Sequence, residues 1–118
     1  MLPYKPDKKT VYAYSLKTVE NLLNSGIEIY LYNGFIHSKV LMTEDVLSVG
    51  SCNFDYRSFE LNFELTALIY GNKHINKHKQ QVLQDLKSST LITTKIYKRL
   101  TKKYRIWNLI YHILKKIL

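Results

Sequence analysis

A single cysteine, Cys52, is present among 118 residues, which excludes an internal disulfide framework and fits a reducing compartment. No stretch approaches the roughly 20 consecutive apolar residues of a membrane-spanning helix. Nor does an apolar run at the N-terminus precede a cleavage site, as a secretory leader would require. On these absences the chain reads as soluble or as lying on a membrane surface. Internal repeats and low-complexity linkers are missing too. Acidic side chains are scarce: nine stand against eighteen Lys and Arg, for a formal charge of +9. From Lys98 onward there are seven basic residues and no acid, so the preceding 97 residues carry only +2.

What is present argues for a folded domain. The apolar content of 46% and aromatic content of 13% exclude a disordered chain, and the length allows one domain with a modest core. The net charge predicts an anionic partner, whether nucleic acid, anionic lipid or a phosphorylated substrate. Its concentration in the tail assigns that partner mainly to the last helix.

Periodicity places the elements. The start, with Pro3, Pro6, Asp7, Lys8 and Lys9, reads as polar and turn-like. Leu16, Val19, Leu22 and Leu23 recur at helical spacing, and Gly26 stands where a helix C-cap would. Ile27, Ile29 and Leu31 alternate with Glu28, Tyr30 and Tyr32, which predicts a strand. Residues 36–42 and 46–49 predict two further strands around a Thr43-Glu44-Asp45 bend. Residues 63–70, nearly all apolar, predict a strand buried on both faces. A lysine-rich helix is expected over about 73–86. A last helix is expected near 94–118, with Tyr97, Leu100, Tyr104, Trp107, Ile110, Tyr111 and Leu114 as its apolar set. Helices alternating with strands indicate an α/β or α+β sandwich.

The chemistry-bearing residues gather around the central hairpin. Side chains alternate across a strand, so His37 and Lys39 are expected on one face and Ser38 on the other. A neutral imidazole can attack phosphorus and form a phosphoryl-enzyme, dividing one hard displacement into two easier ones. Lys39 supplies charge for the phosphate oxygens. Ser51 and Asn53 follow Gly50, which lets the backbone come close, and both can donate to one phosphate. Glu64, on the next strand, could accept the His37 ring N–H and fix its tautomer. This chemistry needs no metal, and no carboxylate cluster for one is evident.

Each of these signals is weak alone. An H-x-K triplet is commonly a surface strand, G-S-x-N a turn, and a lone glutamate a solvated carboxylate. In this order and spacing they carry a resemblance. Gly34-Phe35-Ile36-His37-Ser38-Lys39-Val40-Leu41 resembles the second catalytic motif of the phospholipase D superfamily. The run from Gly50 to Phe59 (G-S-C-N-F-D-Y-R-S-F), followed by Leu61-Asn62-Phe63-Glu64, is similar to the corresponding run of its bacterial cardiolipin synthase branch.

The resemblance implies a phospholipase D-like mixed sheet flanked by helices and truncated at its N-terminal edge. It implies a partial catalytic domain over residues 1–94, and a basic amphipathic helix over 95–118 packed on that domain or on a membrane. The activity implied is phosphatidyl transfer, two phosphatidylglycerols giving cardiolipin and glycerol, without a cofactor. His37 and Lys39 match the motif histidine and lysine, Ser51 and Asn53 the phosphate-binding positions, and Glu64 the acid that orients the histidine.

Two departures stand out. The motif aspartate, which follows the lysine after four intervening residues, is Glu44 here. Glu44 or Asp45 is the acid available for that role. Family synthases also carry two such motifs in tandem halves, after membrane-spanning segments. The resemblance therefore implies a C-terminal portion of a longer synthase, on the cytoplasmic face of the cell membrane as a peripheral protein. A second motif would have to come from a homodimer mate or from a complementing chain that carries the first.

Two rivals stand beside this reading. Small single-motif members of the superfamily act on nucleic acid as homodimers, and the charge would suit that. The L-N-F-E run with its basic tail matches the lipid branch better. The other rival is an inactive truncated remnant, with apolar sheet surface exposed. His74 and His78 have a metal-ligand spacing, but no third ligand is apparent and lysines surround them, so a solvated helix face is the simpler reading. Cys52 reads as a packed thiol. The tyrosines fall mostly at core-spaced positions and predict packing rather than base stacking.

Overall fold

The computed structural model describes residues 1–53 and 56–114. The chain is of mixed α/β class. It divides into two compact units, one formed by residues 1–36 and 86–118 and the other by residues 37–85.

The first unit holds a three-stranded sheet in the order β1-β2-β6, built from β1 (Leu2–Pro3), β2 (Tyr30–Tyr32) and β6 (Ser89–Leu91). Strand β1 runs parallel to β2, and β6 antiparallel to it. Helices α1 (Lys9–Asn24) and α4 (Thr94–Leu114) belong to the same unit. Tyr12, Ala13, Leu16 and Val19 of α1 form its core with Ile29, Leu31, Ile92, Leu100 and Tyr104. Helix α1 begins well before the residues whose spacing predicts it, because Tyr12 and Ala13 extend the buried stripe by one turn. It ends as Gly26 predicts. The glycine takes a φ of +79°, its N–H reaches the Leu23 carbonyl, and the Ile27 N–H reaches the Leu22 carbonyl. These paired bonds satisfy carbonyls that the helix end would otherwise leave open, and only glycine adopts that φ without steric cost.

Helix α4 presses one face on α1. Tyr104 meets Tyr12 edge-on at 5.1 Å between ring centroids, Tyr111 stacks on Tyr14 at 4.4 Å, and the Lys9 ammonium lies 5.2 Å from the Trp107 ring. Leu100 and Tyr104 are buried, while Tyr97, Ile110 and Tyr111 are half-buried. The packed face is thus largely the one that the sequence spacing singles out, but Trp107 of that set is exposed, and the side chain of Leu114 lies outside the described residues. No helix among the described residues is long and apolar enough to cross a membrane.

The second unit is an antiparallel meander, β3 (Lys39–Met42), β4 (Val46–Gly50) and β5 (Thr66–Tyr70), in the order β3-β4-β5. The short helix α2 (Tyr56–Glu60) lies between β4 and β5, and α3 (Asn72–Lys87) follows β5 and ends in the first unit. The expected bend between β3 and β4 is present: Thr43 accepts the Val46 N–H at its hydroxyl, and its own N–H donates to the Val46 carbonyl.

Strand β5 departs from expectation. An apolar strand buried on both faces needs a packed layer on each. Here β5 is an edge strand and four of its five residues are exposed. Among the described residues this unit buries only Leu47, Ile75 and Ser58. Phe59, Leu61, Phe63 and Leu65, on the approach to β5, are exposed as well.

Candidate active site

The register of the meander assembles the site. Lys39 stands opposite Gly50, and Gly50 opposite Thr66, at one end of the sheet. His37 precedes β3 by two residues, Ser51 follows β4, and Glu64 precedes β5 by two. Residues far apart in sequence are therefore delivered to one end of three paired strands.

Lys39 is drawn over the histidine. Its ammonium nitrogen lies 2.9 Å from Nδ1 and 3.0 Å from Nε2 of His37, and donates to the His37 carbonyl at 2.6 Å. A position that close to both ring nitrogens sets the charge astride the imidazole. An ammonium can donate only to an unprotonated ring nitrogen, so which of the two contacts is a hydrogen bond depends on the tautomer. His37 lies outside the regular strand, and the Lys39 contact ties its ring to β3.

Glu64 is held by neighbours of its own. The Ser51 hydroxyl donates to Oε2 at 2.5 Å, and the Asn62 amide donates to Oε1 at 3.2 Å. These bonds, Ser51 foremost and then Asn62 and Ser58, hold the carboxyl below its usual range, helped by the positive charge of Lys39. The Leu65 N–H donates back to the Ser51 hydroxyl at 3.1 Å, so the side chain of Ser51 bridges the two strand ends. The sequence assigns Glu64 to the histidine ring and does not reveal Asn62 as its partner. The short Asn-x-Glu spacing within the L-N-F-E run is the signal that could have done so.

Gly50 makes the approach possible. A Cβ there would come within 2.5 Å of the Leu65 carbonyl oxygen and 2.9 Å of the Thr66 Cα. Any side chain would push β5 away from the end of β4, and Glu64 with it. Asn53 is exposed two residues beyond Ser51, and Cys52 between them is a half-buried free thiol.

Glu44 is placed elsewhere. It lies at the exposed tip of the β3–β4 turn, and Asp45 beside it. Lys39 is at the other end of β3, roughly 10 Å away along the strand at about 3.3 Å per residue. The hairpin that brings Lys39 to Gly50 carries both acids away from them. His74 and His78 lie on α3, and no group of three metal-ligating side chains occurs among the described residues.

The family model for the cardiolipin synthase PLD-like domain matches residues 1–87, the stretch that contains the whole meander. The chain belongs to that family. Cardiolipin synthase 1 of Staphylococcus epidermidis is 48% identical over 99 residues, which are 82% of this chain and 20% of that protein. Cardiolipin synthase of Staphylococcus aureus is 43% identical over the same length and shares. A second Staphylococcus epidermidis relative, cardiolipin synthase 2, is 46% identical over 99 residues. The chain spans about a fifth of the length of these curated relatives. No solved structure matches it significantly. Membership gives the cluster at the sheet end a family context, and helix α4 begins beyond the matched PLD-like residues.

Proposed function

We propose that the chain is a phosphatidyltransferase portion of the cardiolipin synthase type, with His37 as nucleophile. The observation that carries this reading is the convergence of His37, Lys39, Ser51 and Glu64 at one end of the β3–β4–β5 meander. In the first step a ring nitrogen of His37 attacks the phosphorus of phosphatidylglycerol. An N–P bond forms, the P–O bond to the headgroup glycerol breaks, and glycerol leaves with a proton. In the second step the hydroxyl of another phosphatidylglycerol attacks the phosphohistidine, loses its proton and releases cardiolipin. Lys39 turns from the imidazole to the phosphate oxygens, where its charge counts most as negative charge redistributes. Ser51 and Asn53 orient the phosphate, and ionised Glu64 steadies the site's positive charge. Glu44 or Asp45, at the hairpin tip, would serve as the motif acid only from there.

One histidine cannot both attack and protonate the leaving alkoxide. The second comes from another His37, in a homodimer, or from a chain carrying the first motif. The exposed side chains of Phe59, Leu61, Phe63, Leu65 and Leu68 support such a partner, because so many large apolar side chains exposed close together in sequence commonly mark an interaction surface. A phospholipid substrate places the protein at the cytoplasmic membrane surface. The competing reading, a homodimeric phosphodiesterase acting on nucleic acid, draws on the +9 charge.

Light scattering in mild detergent, with parallel assays on phosphatidylglycerol vesicles and plasmid DNA, tests the proposal. A dimer that releases glycerol from the lipid and leaves DNA intact is expected. DNA cleavage without lipid turnover would overturn it in favour of the nuclease.

A further inference from the structure

Helix α4 has a second apolar stripe, on the side turned away from α1. At 100° per residue, Ile106, Leu109 and Ile113 fall on the side opposite Leu100, Tyr104 and Tyr111. They are 71%, 64% and 64% exposed, whereas Leu100 and Tyr104 are buried in the core. Nothing in the first unit covers these three among the described residues.

The same side changes character along its length. Its first turns carry Lys95, Lys98, Lys102 and Arg105, all exposed, and its last turns carry the apolar stripe. Lys102, Arg105, Ile106, Leu109 and His112 line one shallow hollow where the two halves meet. No acid occurs anywhere in α4. The apolar spacing of the sequence does not reveal this stripe, because the buried set on the opposite side is longer and includes the aromatics.

We infer that the outward side of α4 is a membrane-docking surface, seated in the interface of a bilayer rich in anionic headgroups. The apolar end inserts among the upper acyl chains while the basic end meets phosphates. An unbroken row of bases argues for an anionic partner, and large aliphatic side chains set in line with it argue against a nucleic acid backbone. The helix lies on the surface, since it is not apolar enough to cross. Docking would also hold the compact unit that carries α1 against the source of the proposed substrate. The inference rests on the proposed phospholipid chemistry only for its choice of headgroup.

Vesicle flotation of the full chain tests it, with phosphatidylcholine alone and with an equal mixture of phosphatidylcholine and phosphatidylglycerol. The His37→Ala chain is used in parallel, so that binding is read without turnover. The expected result is binding to the mixed vesicles about tenfold or more tighter than to the neutral ones. A combined Ile106→Ser, Leu109→Ser and Ile113→Ser chain is expected to lose about tenfold or more of that binding. Its melting temperature should not move, because these side chains are exposed. Leu83→Ser, at an exposed apolar position of α3, should leave binding unchanged.

Equal binding to both vesicles, or full binding by the triple variant, would overturn the inference. So would a triple variant that turns a dimer into a monomer while vesicle binding persists, since the stripe would then be a protein interface. Stripe-dependent binding without lipid turnover would leave the inference standing and count against the proposed catalysis alone.

Discussion

The Ser51 hydroxyl donates to Oε2 of Glu64 across the junction of β4 and β5, thirteen residues apart in sequence. This bond joins a position expected to hold phosphate to one expected to orient the histidine. It is also the foremost reason that the Glu64 carboxyl titrates low. Ser51→Ala should therefore raise the Glu64 pKa toward the usual carboxylate value. A carbon-detected NMR titration of the side-chain carboxyl reads this directly, and an unmoved titration would contradict the assignment.

The sign of the pH effect follows. The folded carboxyl titrates below its unfolded value, so its contribution to stability is present above the unfolded pKa and lost as pH falls through the folded one. In Ser51→Ala the Glu64 part of that loss should shrink, because the folded and unfolded pKa values approach each other, as followed by circular dichroism across acid pH.

Gly50→Ala should be damaging for a steric reason. The added methyl group meets the Leu65 carbonyl and the Thr66 backbone, neither of which can rotate away. A cost of about 1–3 kcal/mol is expected, typical of forced overpacking. Chemical denaturation measures it, and a change below about 0.5 kcal/mol, ordinary for a surface site, would mean that β5 yields freely. Turnover should fall further than stability, because Glu64 moves with the strand.

Tyr12 offers a test in the first unit. Its hydroxyl is buried with no hydrogen-bond partner among the described residues. Burial, and secondarily the neighbouring Tyr104, push its pKa up to about 12. Tyr12→Phe should leave stability at pH 7 unchanged or raise it by about 1 kcal/mol, since an unsatisfied polar atom is removed. The folded pKa lies above the unfolded value, so stability is retained below about pH 10 and lost as pH rises toward 12. Thermal melts across that window should show a smaller alkaline loss for the phenylalanine variant.

Much of this was legible in the chain itself. The helix cap at Gly26, the Thr43-Glu44-Asp45 bend and the packed face of α4 follow from local rules: φ freedom, turn chemistry and helical spacing. The H-x-K and G-S-x-N motifs marked the end of the meander because strand pairing delivers both to the same place. Burial was harder to read. An apolar strand such as β5 announces what it could be packed against, and its exposure depends on layers that composition does not count. The short elements β1, α2 and β6 also escaped notice, for two to five residues leave too little periodicity to detect. The Asn62–Glu64 contact and the outward stripe of α4 depend on side-chain placement in three dimensions. Expectations resting on Phe54, Asp55 and residues 115–118 lie outside the described residues.

The histidines separate sharply by role. His37→Ala should abolish turnover of phosphatidylglycerol, while His74→Ala and His78→Ala, on α3, should leave it within about twofold, as expected of surface substitutions away from the chemistry. Glycerol release from vesicles is the measurement. Turnover retained in His37→Ala would remove it as the nucleophile.

The central claim is a covalent one, and mass spectrometry addresses it most directly. The chain is incubated with phosphatidylglycerol vesicles and quenched in alkali, where an N–P bond survives. A phosphatidyl adduct is expected on the peptide that contains His37, absent from the His37→Ala chain. A His37 peptide that stays unmodified while glycerol is released, or an adduct on another residue, would contradict it.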